Sequence, residues 1–361
     1  MTQQRIAQHP GIALQKELER LGMSQKELAI RTGVTDKHVS TIINGTKGIS
    51  AAYARKLEYA LGSDENYWGK LQAEYDLAMV RIQEEHHISD EEIAILKRLK
   101  DIISYFLARG ILHNDCGDTE KVLQLRSILR VSDLTLIPHI SYNAAYRAQL
   151  NNNTKIDPFV LFAWQRLCEI RLEDEMPEVP FSADSLRDSL TDIKATMFLD
   201  INAALKQLRG IFARSGIGFA VVQHFRGAPV QGFIKKTDLG QVILCLTIRG
   251  KAADRFWFSL FHEIGHLING DLKNRFIDFD SVKSDAEEKA DQFARDALLD
   301  PQLYKNWRSS CSDFTLHSIQ AFAREAGVPY WIVIGRLHSD EWLDWSVYAK
   351  KIPSYSWAQD A

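Results

Sequence analysis

The chain contains no stretch long and apolar enough to cross a bilayer; its longest strongly apolar run, Phe256–Phe261, is far too short. The opening residues, MTQQRIAQHPG, lack the hydrophobic segment of a signal peptide, so no export is expected. Four cysteines, Cys116, Cys168, Cys245 and Cys311, stand far apart with no CxxC pair. That excludes a zinc ribbon and a disulfide framework, and the expectation is reduced, packed thiols in a cytoplasmic protein. There is no internal repeat and no low-complexity tract. Nor is there an excess of one charge: 44 Lys and Arg face 47 Asp and Glu, a net −3, which excludes a protein that is basic throughout but leaves room for a small basic module.

What is present divides into regions. A length of 361 residues suggests two or three domains. Residues 1 to about 62 read as short helices joined by tight turns. The next stretch, to about 200, is almost wholly helical in pattern. One amphipathic helix is expected over Asp90–Leu107, with Ile93, Leu96, Leu99, Ile103 and Phe106 at helical spacing and Ser89 and Glu92 as a capping box. Another is expected over Pro158–Leu172, between the turn-rich Asn151–Thr154 and a connection holding Pro177 and Pro180. After a helix around Leu199–Ser215 the period changes. Ile217–Gln223, Gln231–Lys236 and Val242–Thr247 read as strands, and helices then return, giving an α+β region.

Gly22–Gly45 has a helix-turn-helix layout. Ser24 caps the first helix with Glu27 completing the box, Gly33 ends it, and Thr35 caps a second helix that stops near Asn44-Gly45. On that second helix Val39, Ile42 and Ile43 mark the buried side. Lys37, Thr41 and Asn44 lie opposite, flanked by Ser40 and His38. With Gln25 and Thr35 these are the candidate DNA contacts, short polar or basic side chains of the kind that reach base edges and phosphates. Residues 1–62 carry nine Lys/Arg against five Asp/Glu, so positive charge is concentrated here. The pattern Gln25-x-x-Leu28-Ala29-x-x-x-Gly33-Val34, continued by Val39-Ser40-x-Ile42-x-Asn44-Gly45, resembles the Xre/Cro-type repressors. Ala54-x-x-Leu57-x-x-Ala60-Leu61-Gly62 with Trp68, Gln72 and Tyr75-Asp76-Leu77 resembles the HigA-type antitoxin branch. The resemblance spans about residues 9–82 and implies a five-helix fold, a homodimer and a palindromic DNA operator as partner.

His262-Glu263-Ile264-Gly265-His266 carries the second constellation. Its three named residues arise by chance in a chain of this length on the order of a few times in a hundred. On a helix, His262 and His266 share one face one turn apart, so both imidazoles reach one zinc ion, and Glu263 lies beside that face. A third ligand is expected from a downstream helix. Glu287 is the first candidate, with Glu288 the alternative, and Asp291 is placed to orient a histidine through its free ring N–H. Ser284-x-x-Glu287 also has capping-box spacing, which gives Glu287 a purely structural alternative.

The motif Phe258-x-Leu260-Phe261-His262-Glu263-Ile264-Gly265-His266, followed by Glu287-x-x-Ala290-Asp291-x-Phe293-Ala294, resembles the ImmA/IrrE metallopeptidases over roughly residues 200–340. The resemblance implies His262, His266 and Glu287 as Zn2+ ligands and Glu263 as the catalytic base of a zinc metallo-endopeptidase of the HExxH type. Two positions depart from that family: Gly270 stands where a histidine is frequent, and Asp300 where Met or Ile is usual. The expected architecture is therefore multi-domain: an all-α helix-turn-helix domain over residues 1–85, a helical middle region over 86–198 and an α+β zincin-like metallopeptidase domain over 199–361. Val242–Thr247 is the strand expected at the sheet edge, holding substrate backbone in extended form. Tyr330, Arg336 and His338 are the nearby candidates for oxyanion stabilisation. Two readings follow. One is a DNA-binding regulator whose endopeptidase cleaves a repressor or antitoxin-type protein partner. The other is a non-catalytic transcriptional regulator or antitoxin that uses the metal domain as a sensor or a platform for a toxin or repressor partner. Neither involves a membrane.

Overall fold

The computed structural model describes residues 8–64, 66–113, 117–140, 156–248, 251–271, 276–279, 285–311 and 313–356. Cys116, the Asn151–Thr154 connection and Ser284 as a helix cap lie outside the described residues. The chain forms two compact units, Met1–Ile93 with Gly117–Leu123, and Ala94–Cys116 with Gln124–Ala361.

The first unit is built on α1 (Pro10–Leu21), α2 (Gln25–Thr32), α3 (Asp36–Ile43), α4 (Ala51–Leu61) and α5 (Tyr67–His86). Local chemistry sets the boundaries. The hydroxyls of Ser24, Thr35 and Ser50 accept from the backbone N–H of Glu27, His38 and Tyr53, satisfying donors that the helix cannot. Gly33 then stops α2 at φ +64, a left-handed conformation that disfavours a side chain. Leu14, Leu28, Val39, Ile42, Leu57 and Trp68 fill the core. Gly11 lets α1 cross α3 at backbone contact, because a Cβ there would fall 1.9 Å from the Ile42 carbonyl oxygen. The helix expected over Asp90–Leu107 is two helices, α6 (Asp90–Arg98) and α7 (Lys100–Ala108). The break is at buried Leu99, whose ψ of 5° departs from the helical value near −42°. The cap at Ser89 is as expected, its hydroxyl accepting from Glu92 N–H.

The second unit joins helices to a small sheet. After α8 (Asp118–Leu129) comes α9 (Pro158–Leu172), capped by Asp157 and buried on most sides. Short helices α10 (Ala183–Asp188) and α11 (Leu190–Ala195) precede α12 (Ile201–Arg214), capped by Asp200. The strands are β1 (Ile217–Val222), β2 (Val230–Lys236), β3 (Val242–Thr247) and β4 (Phe276–Phe279), in spatial order β1-β3-β2-β4. Strand β3 runs parallel to β1 and antiparallel to β2, and β4 pairs antiparallel to the other side of β2. This corrects the expectation for Val242–Thr247. The strand is interior with every residue buried, so its ladder bonds are taken on both sides and it cannot receive a substrate backbone. Its continuous apolar run is the mark of a strand covered on both faces.

The remaining elements are α13 (Ala253–Asn269), α14 (Asp285–Leu298), α15 (Pro301–Ser310), α16 (Leu316–Glu325) and α17 (Tyr330–Ser339). Helix α13 runs through the core, with Phe256, Trp257, Leu260, Phe261 and Ile264 buried against β-strand and helix residues such as Leu244, Phe212 and Ile334. Burial of large side chains like these contributes about 1.5–3 kcal/mol each, and it fixes α13 in rotation. The chain's last described segment straps the start of this helix. Ala253 N–H donates to the Pro353 carbonyl (2.9 Å) and the Trp257 indole N–H to the Tyr355 hydroxyl (3.0 Å).

Candidate metal centre and nucleic-acid interface

The apolar stripe of α13 faces the core, which leaves His262, Glu263 and His266 on the side turned to β2 and α14. All three are nonetheless buried, at 5%, 0% and 1% exposure. Close approach on two sides explains this. Gly265 admits α14, since a Cβ would lie 3.1 Å from the Ala290 Cα. Gly232 admits β2, since a Cβ would fall 1.7 Å from Glu263 Oε1. Ala290 and Ala294, fully buried, keep α14 close, as their small size led the sequence to suggest.

This packing brings Glu287 to the histidines. Its Oε2 lies 3.1 Å from His262 Nε2 and its Oε1 3.6 Å from His266 Nε2. The two Nε2 atoms are 3.0 Å apart. Glu288, the alternative, is exposed on α14. Each imidazole is held from behind. His262 Nδ1 meets Asp291 Oδ1 at 2.9 Å, the partner expected from sequence, and His266 Nδ1 meets Asp271 Oδ2 at 3.0 Å. A carboxylate only accepts, so each Nδ1 carries the proton and donates it. Each Nε2 of a neutral ring is then a lone pair, and the two lone pairs converge on the Glu287 carboxylate.

Such a donor set attracts positive charge. Where protons rather than a metal ion sit on the Nε2 atoms, burial pushes the Glu287 carboxyl up, but hydrogen bonds and charge from the protonated His262 and His266 outweigh it and hold the group at about 2. Burial pulls the His266 imidazole down, and Glu287, the Glu263 charge and Asp271 more than offset it, so the net shift is upward. The residues fit a zinc ion by donor chemistry: two imidazole nitrogens and one carboxylate oxygen, all within 4.8 Å of one another.

Asp271 is the functional residue that sequence reasoning missed. Gly270 ends α13 at φ +82, and the next residue turns back so that Asp271 N–H donates to the His266 carbonyl while its carboxylate reaches the ring of the same histidine. The glycine at this position thus belongs to the turn that delivers an acid. Asp271→Ala is expected to lower zinc affinity about 10–100-fold, the usual cost of losing such a support. Titration against a chromophoric chelator measures it, and unchanged affinity would remove Asp271 from the site.

The oxyanion candidates are otherwise engaged. The Tyr330 hydroxyl donates to the Lys351 carbonyl, Arg336 Nε to Asp340, and His338 Nε2 to the Val347 carbonyl. All three bind elements of the C-terminal part of the chain to one another.

In the first unit, Lys37 is exposed on α3 and Asn44 just past its end, with Ser40 and Thr41 half-buried beside them and Gln25 half-buried at the start of α2. Two of the expected contacts have internal work. Thr35 spends its hydroxyl on the α3 cap, and the His38 ring packs edge-on against Tyr53 at 4.9 Å between centroids. The Asn44 amide donates to Ser40 Oγ (3.2 Å), and Thr41 Oγ1 donates to the His38 carbonyl (2.8 Å). Lys37 is therefore the side chain least tied to the fold among them.

Residues 14–68 match the family described as Helix-turn-helix, so the first unit contains a helix-turn-helix DNA-binding domain. The chain is 45% identical over 73 residues to virulence-associated protein A′ of Dichelobacter nodosus; the match covers 20% of this chain and 64% of that relative. A putative antidote protein of a plasmid maintenance system from Nostoc punctiforme is similar at 31% identity, over 22% of this chain and 89% of its own, with a TM-score of 0.20. An addiction module antidote protein of a HigA family from Coxiella burnetii is similar at 29% identity, over 27% and 92%, with a TM-score of 0.20. The family match ends at residue 68 and so lies wholly outside the His262–Glu287 cluster.

Proposed function

We propose that the chain is a DNA-binding regulator whose second unit is a zincin-like, ImmA/IrrE-type zinc endopeptidase acting on a repressor or antitoxin-type protein partner. One observation carries this reading. Two histidine Nε2 atoms and the Glu287 carboxylate converge at 3.0 to 3.6 Å, each imidazole backed by its own aspartate, with Glu263 next to His262 in the helix. Bound there, a zinc ion supplies a Lewis acid to water and to the scissile carbonyl. His262, His266 and Glu287 hold it, and Asp291 and Asp271 keep the two rings in the tautomer that presents Nε2. The Glu263 carboxylate takes the proton of the attacking water and returns it to the leaving amine. Zinc analysis together with proteolysis by the Glu263→Gln variant tests the reading.

The complete burial of Glu263 favours keeping a second reading, in which the metal unit is a sensor or partner-binding platform without turnover. Both readings put the first unit on DNA, as a homodimer on a palindromic operator. Leu77 and Val80, 71% and 51% exposed and three residues apart on α5, offer an apolar surface for such a dimer. No described helix is long and apolar enough to cross a membrane. Lys37→Ala is expected to weaken binding to mixed-sequence duplex DNA and to reduce the slope of log affinity against log salt by about 1. Fluorescence anisotropy across a salt series measures both, and an unchanged slope would take Lys37 off the phosphates.

A further inference from the structure

Strand β2 has an inner and an outer edge, and its backbone packs against the metal-ready cluster. Its inner edge is taken by β3, and at Gly232 its backbone lies against the Glu263 carboxylate. That outer edge already holds a strand of the chain's own, β4, with Val230 opposite Phe279, Phe233 opposite Ile277 and Ile234 opposite Phe276. The register slips between Val230 and Phe233, so Gln231 and Gly232 together oppose Asp278 alone. A bulge of this kind bends the strand and leaves a residue out of the ladder, and bulges gather beside functional sites. Here it falls at the glycine that touches Glu263. Among the described residues β4 has four against the seven of β2. Glu263, His266 and His262 are almost closed to solvent.

We propose that β4 is an internal occupant of a peptide-binding edge: it pairs with β2 where an extended polypeptide partner binds, antiparallel to β2, and that partner gains the site by displacing it. The occupant is recognised through backbone hydrogen bonds, the mode in which a strand adds to a sheet. Its apparent affinity is the intrinsic affinity scaled by the fraction of molecules with the edge open. The use made of the bound strand rests on the peptidase reading above; the displacement does not.

The test uses the full chain, zinc-loaded, carrying Glu263→Gln so that nothing is cut, with Ile277→Pro or Asp278→Pro added. Successive residues of an antiparallel strand turn their N–H groups to opposite sides, so one of the two prolines removes a donor aimed at β2. Hydrogen exchange over Val230–Ile234 reports whether β4 has let go, and anisotropy with labelled β-casein, an unfolded polypeptide, reports binding. Faster exchange in at least one proline variant is expected, with casein binding at least about tenfold tighter in the same variant, as a tenfold rise in open fraction gives. Faster exchange with no gain in binding overturns the proposal, and so does unchanged exchange in both variants. Restoring Glu263 separates the two ideas: tighter binding without cleavage leaves the strand displacement standing and removes the peptidase reading.

Discussion

Zinc in equimolar amount is expected in the purified chain, and none in His262→Ala. The expectation follows from what the cluster costs without a cation. Two imidazole lone pairs 3.0 Å apart and the Glu287 carboxylate are packed together in a site where His266 is 1% exposed. Like-signed groups in a low-dielectric interior repel strongly, and a proton on His266 relieves only part of it. A divalent ion relieves all three at once. His262→Ala takes away one donor and strands Asp291, whose carboxylate meets that ring at 2.9 Å. Glu287→Gln keeps the shape but removes the charge, so it is expected to bind zinc more weakly than the parent while remaining folded. A ligand that binds only the folded state stabilises it by about 2.7 kcal/mol at a hundred times its dissociation constant. Chelation should therefore lower the unfolding midpoint of the parent and leave His262→Ala where it was. A parent whose metal content and midpoint are both indifferent to chelator would make the two histidines ordinary core residues.

The sequence carries this site unevenly, and the reason is physical. His262 and His266 are one helical turn apart, as are Glu287 and Asp291, so each pair is legible from local periodicity alone. That the two pairs meet follows from Gly265 and the alanines of α14, small residues in a row that only close packing explains. Asp271 was out of reach because its role depends on the left-handed turn at Gly270, and a glycine after a helix signals an ending without saying where the next side chain goes. Strand order was out of reach too. Val242–Thr247 shows that it is covered, but whether it lies inside or at the edge is decided by β2, which ends 6 residues before it, and β4, which begins 29 after it. The caps at Ser24, Thr35 and Ser89 were readable because a cap involves only its own neighbours within three residues. The division of Asp90–Leu107 at Leu99 was not, because both halves share one apolar pattern.

Glu263→Gln is the substitution that separates an enzyme from a binding platform. The glutamine is nearly isosteric and uncharged, and the position is fully buried beneath β2, so the fold has less charge to bury and no new volume to admit. Glu263 is not among the three residues that converge as ligands, so zinc content is expected to stay at the parent's level. Turnover is a different matter. An amide accepts no proton from water at neutral pH, and loss of a positioned general base typically costs about 10²–10⁴-fold, or roughly 3–5 kcal/mol of transition-state stabilisation. Cleavage of a protein partner by the parent, absent or lowered to that degree in Glu263→Gln with zinc retained, fixes the carboxylate as the base. Equal cleavage by both would place the proton transfer elsewhere. A parent that binds zinc and DNA but cuts nothing, with Glu263→Gln identical to it in every respect, would leave the second unit as a platform whose glutamate serves only to fill the space that Gly232 leaves over α13.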